Sequence, residues 1–85
     1  MLAKVAGKCV ETLVGDELVV MNIDSGNFYS LKTTARDAWH LIGTVADAQA
    51  VVAALMQIYE APEAVIRADV SALIAKLKSA ELVTD

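Results

Sequence analysis

Residues 22–31 read Asn22-Ile23-Asp24-Ser25-Gly26-Asn27-Phe28-Tyr29-Ser30-Leu31, and a helix carrying Trp39 follows. The centre of this stretch, Asp24 to Asn27, is a hairpin loop, with Gly26 free to take positive φ. Phe28 to Leu31 then forms a strand. Tyr29 and Leu31 share one of its faces, and Phe28 and Ser30 share the other. On the other side of the loop, Glu17 to Ile23 is the strongest strand of the chain. Its Leu18-Val19-Val20-Met21 run is apolar and largely β-branched, and Val19, Met21 and Ile23 alternate onto one face. Cys9 to Val14 is a shorter β-rich run, joined to it through turn residues Gly15-Asp16. These runs make a three-stranded antiparallel meander whose third strand is an edge.

Helices occupy the rest. Thr33 or Thr34 is expected to cap the first by accepting a hydrogen bond from a free amide of its opening turn. Ala35, Trp39 and Ile42 recur at helical spacing, with Ala38 and Leu41 beside them. Gly43 ends that helix. Thr44 with Asp47 resembles a capping box for the second, which runs to about Tyr59 with a stripe of Ala48, Val52, Leu55 and Tyr59. Pro62 fits the first turn of the third helix. Its main stripe is Ile66, Val70, Leu73 and Leu77, with Ile74 at the margin. Leu82 and Val83 form an apolar tail able to pack back on the core. Residues 1–85 are read as a single domain.

Composition narrows the function. Hydrophobic residues make up 56% of the chain, which favours a folded core. Much of that fraction is Ala and Val, so the core is thin, and stability is expected at roughly 3–5 kcal/mol. The net charge of −4 disfavours nucleic acid, which needs a basic face. One cysteine fits a reducing compartment. No signal-peptide pattern and no run of membrane-spanning length is present. The expectation is a soluble cytoplasmic protein.

Catalytic chemistry is sparse. His40 is the single histidine and reads as a half-exposed surface residue. Cys9 reads as a small buried hydrophobe. Neither has metal-ligand spacing to other residues. The four glycines are scattered, without a phosphate-cradling pattern. Neither a catalytic set, a cofactor nor a metal is expected. Arg67, Ile74 and Lys78 fall within a narrow arc of the third helix next to Val70. Two readings stand side by side there: solvated flanks, or the rim of a groove floored by Val70 and Ile74.

Asp16-Glu17-Leu18-Val19-Val20, then Gly26-Asn27-Phe28-Tyr29-Ser30-Leu31, Trp39, Thr44-Val45, Leu55, Tyr59, Asp69-Val70, Leu73-Ile74, Leu77 and Leu82-Val83 together resemble the PqqD-like family. The resemblance spans nearly the whole chain. It implies an α+β, winged-helix-like fold: a three-stranded antiparallel sheet followed by a three-helix bundle. It further implies a non-catalytic module that binds the leader of a ribosomally synthesised precursor peptide as an added strand. The partners implied are that peptide and a modifying enzyme, either a radical SAM enzyme or a leader peptidase. The expected peptide-binding residues are Asn27, Phe28, Tyr29, Ser30 and Leu31 on the edge strand, with Arg67, Val70, Ile74 and Lys78 on the third helix. Phe28-Tyr29 and Trp39 look more like lasso-type and stand-alone members than quinone-cofactor members. The chain departs from the family pattern at Lys32, Ala35, Ala38 and Glu81, the last standing where the family has Gly. The alternatives are a winged-helix DNA-binding regulator, or a small dimeric scaffold whose third strand pairs with its twin. Monomer and homodimer are both open.

Overall fold

A computed structural model describes residues 2–45 and 47–85. In chain order the elements are β1 (Ala3–Lys4), β2 (Cys9–Val14), β3 (Glu17–Asn22), β4 (Phe28–Leu31), α1 (Thr34–Leu41), α2 (Ala48–Met56), α3 (Glu63–Ser79) and β5 (Val83–Thr84). The expected antiparallel meander is present in the order β2-β3-β4, which leaves β4 at an edge. The three helices follow it and cover one sheet face, so the α+β expectation holds.

Leu18, Val20 and Asn22 are the buried face of β3, while Val19 and Met21 are half-exposed and Ile23 is exposed. Leu18 and Val20 on one face and Val19 and Met21 on the other are all apolar, so the pattern does not reveal which set the helices cover. On β4 the division is clear. Leu31 is buried and Tyr29 half-buried on the helix side, whereas Phe28 and Ser30 face outward. Most of β2 lies beyond the helices and is exposed. Cys9 at its start is only half-buried. Desolvation, followed by the nearby Glu11 carboxylate, pushes its thiol above the ordinary range.

The second sheet is a two-residue pairing of β1 with β5. Ala3-Lys4 is too short to register as a strand in the sequence. Pairing with it anchors the C-terminal tail, where Leu82 and Val83 are buried. The turn into that tail is a Schellman motif. The Leu82 N–H donates to the Leu77 carbonyl at 2.9 Å and the Glu81 N–H to the Lys78 carbonyl at 3.0 Å. Leu77 and Leu82, the two apolar residues of the motif, are both fully buried. Glu81 therefore holds the left-handed position, with φ 60°.

The helix termini differ from expectation in detail. Thr33 occupies the α1 N-cap with φ 47° and makes no side-chain cap. Asp47, not Thr44, caps α2, accepting from the Ala50 N–H at 2.9 Å. The Thr44 hydroxyl instead donates back to the Leu41 carbonyl. The last turn of α2 closes at Met56, short of Tyr59, and Val51 joins Val52 and Leu55 in its buried stripe. Pro62 sits at the α3 N-cap. On α3 the buried stripe is Ile66, Val70, Ile74 and Leu77, and Leu73 moves to its half-exposed margin. Trp39 is the largest fully buried side chain, and Lys4 lies over its ring at 4.6 Å.

Candidate peptide-binding edge

The backbone of β4 presents hydrogen-bonding groups to open space. On β3 the odd residues bond toward β2, as the Ile23 N–H shows by donating to the Lys8 carbonyl at 3.0 Å. The even residues bond toward β4, as the Asn22 N–H shows by donating to the Asn27 carbonyl at 2.9 Å. Antiparallel ladders alternate between bonded and non-bonded pairs. With Val20 opposite Tyr29 and Leu18 opposite Leu31, the N–H and C=O groups of Tyr29 and Leu31 point into the sheet. Those of Phe28 and Ser30 point outward. Such an edge templates another strand unless something covers it.

The turn before β4 is anchored by Asn22, which is almost fully buried. Its Nδ2 donates to the Ala80 carbonyl at 2.8 Å, and its Oδ1 accepts from the amides of Asp24 and Ser25. One side chain thus ties the hairpin to the C-terminal end of α3. On the outer sheet face, Glu17 accepts from the Ser30 hydroxyl and pairs with Lys32, both at 2.7 Å. The Lys32 ammonium and then the Ser30 hydroxyl hold the Glu17 carboxyl below its usual range, and Glu17 in turn raises Lys32.

Two concavities border the edge. One, of about 210 Å³, opens between the link from β4 to α1, the start of α1, and α3; its lining includes Lys32, Thr33, Ala35, Asp69, Val70 and Leu73. The other is a shallow surface at the hairpin, lined by Gly26, Asn27, Phe28 and Tyr29. Between them Lys76 of α3 sets its Nζ 5.2 Å from the centre of the Tyr29 ring.

Of the expected set, Asn27, Phe28 and Tyr29 line the hairpin concavity, Ser30 lies on the open edge, and Val70 lines the cleft beyond the strand's end. Leu31 lies beneath them in the core. Ile74 is 7% exposed and belongs to the core, outside the cleft lining. Arg67 and Lys78 are not brought to this wall. At about 100° per residue, Asp69, Leu73 and Lys76 share one flank of α3, and Arg67 and Lys78 lie roughly 160° around the helix. There Arg67 pairs with Glu63 and Lys78 with Asp85, each at 2.8 Å. Leu73, Asp69 and Lys76 are the wall residues that the sequence reading missed. A helical wheel fixes the apolar stripe but does not say which of its two margins faces the sheet. His40 is exposed, and no group of three His, Cys, Asp or Glu among the described residues is placed to hold a metal.

The family described as coenzyme PQQ synthesis protein D (PqqD) matches residues 17–83. The chain belongs to the PqqD family. Two solved structures share the PqqD-like fold with it. TbiB1 in complex with the TbiA(beta) leader peptide has a TM-score of 0.80 at 20% identity, covering 94% of this chain and 93% of that one. A lasso peptide synthetase B1 complexed with its leader peptide has a TM-score of 0.82 at 18% identity, covering 99% and 98%. At these identities the likeness establishes the fold. Among curated proteins, none matches the sequence.

Proposed function

We propose that this PqqD-family chain is a non-catalytic recognition module that takes the leader of a ribosomally synthesised precursor peptide as an added strand on β4. The rest of the precursor is thereby held for a separate modifying enzyme, a radical SAM enzyme or a leader peptidase. The observation that carries this reading is the open edge itself: outward backbone groups at Phe28 and Ser30 beside a cleft walled by Leu73 and Val70. In such β-augmentation the main chain supplies affinity, and pockets for alternate side chains supply specificity. Family membership and the leader peptides bound in the two structurally similar proteins support it. No helix among the described residues is long and apolar enough to cross a membrane.

The test is calorimetry with synthetic leaders encoded by short reading frames beside the gene. Ser30→Pro removes an outward amide at an edge position, where Pro is tolerated by the fold. The expected result is binding by the parent and at least tenfold weaker binding by a folded Ser30→Pro variant. A folded variant that binds as tightly as the parent overturns the proposal.

A further inference from the structure

The chain has seven Lys and Arg residues against eleven Asp and Glu. Six of the seven cations hold a carboxylate of the same molecule. Lys4 pairs with Glu11, Lys8 with Asp24 and Glu81, Lys32 with Glu17, Arg36 with Asp37, Arg67 with Glu63, and Lys78 with Asp85. Lys76 is the exception: among the described residues no carboxylate lies within 4.0 Å of it. In a chain with acids in excess, the one Lys or Arg without a carboxylate partner among the described residues stands on the α3 flank that faces the open edge. The Tyr29 ring, 5.2 Å away, fixes where its ammonium sits. It leaves the ammonium's net charge without a counter-ion.

We infer that Lys76 is a specificity-determining residue, receiving the carboxylate of an Asp or Glu on the extended peptide at the position facing Tyr29. The inference rests on the reading of β4 as the peptide-accepting edge. Tyr29 points to the helix side of the sheet. Directly opposite residues of paired strands point to the same side. The added strand's side chain opposite Tyr29 therefore projects toward the flank from which Lys76 extends. An acidic side chain there meets the unpaired ammonium, and a basic one meets like charge. The remaining surface is acidic on balance, so this contact selects register and partner more than it adds affinity.

The experiment is a display library of random peptides sorted separately against the parent, Lys76→Glu and Ser30→Pro proteins. Lys76 is exposed, so its substitution leaves the core intact. Peptides selected by the parent are expected to carry Asp or Glu at one position, enriched roughly two- to fivefold, the size of an exposed ion pair. Lys76→Glu should switch that position to Lys or Arg, and Ser30→Pro should lose the peptides. Identical residue preferences for the parent and Lys76→Glu, with binding still lost in Ser30→Pro, overturn this inference and leave strand addition standing. Peptides retained by Ser30→Pro, or no enrichment against the parent, overturn strand addition and this inference with it.

Discussion

Asn22 shows how much one buried polar side chain can organise. Its amide satisfies the Ala80 carbonyl and two hairpin amides at once. Asn22→Ala would leave those groups unpaired in a partly buried place, at a cost of about 1–3 kcal/mol. That is a large part of the roughly 3–5 kcal/mol such a domain holds. A urea titration should show the lowered midpoint, and an unchanged midpoint would contradict the role. In the sequence Asn22 merely opens a turn, because its partner lies 58 residues away. Glu81 was more legible, since the family's Gly at that place signals positive φ, and the structure puts Glu81 at 60°. Glu81→Gly should therefore raise stability by about 0.5–1 kcal/mol, relief of the left-handed strain outweighing glycine's entropy. The exposed contact with Lys8 that it removes is weak. A drop in melting temperature would contradict this.

At the scale of elements, apolar periodicity locates the three helices, and turn chemistry locates the meander. The margins of α3 stay ambiguous, because Leu73 and Ile74 are adjacent apolar residues on either side of the stripe. The structure makes them separable. Ile74→Ala should cost about 2–4 kcal/mol of stability as a core truncation. Leu73→Ala, at the half-exposed cleft wall, should weaken peptide binding with a much smaller change in melting. Equal melting losses would contradict the assignment. Between α1 and α2, the half-buried Tyr59 hydroxyl donates to the Asp37 carboxylate. That hydrogen bond, and then burial, hold the phenol above its usual value of about 10. The stabilisation is complete below the unfolded pKa and is lost as pH rises through the folded one. Tyr59→Phe should therefore cost about 1 kcal/mol at neutral pH. The gap from the parent should narrow above pH ~10 in urea titrations. A gap constant with pH would contradict the bond.

For the whole molecule, eleven acidic residues stand against seven Lys and Arg. Among the described residues, six of the seven Lys and Arg are engaged in ion pairs, which lowers the positive charge free to meet phosphates. A gel shift with duplex DNA at low salt should show no salt-sensitive binding, and such binding would favour the winged-helix regulator instead. The order of strands and helices was legible because each segment carries its own period. The β1–β5 pairing and the groove wall were not, because both arise from contacts distant in sequence. The central claim is that β4 accepts a strand, and residue-resolved amide hydrogen exchange by NMR tests it most directly. In the free protein Tyr29 and Leu31 should exchange slowly, and Phe28 and Ser30 quickly. Saturation with a bound leader peptide should slow Phe28 and Ser30 at least tenfold and change Tyr29 and Leu31 little. A saturated complex in which Phe28 and Ser30 still exchange as in the free protein would contradict the account.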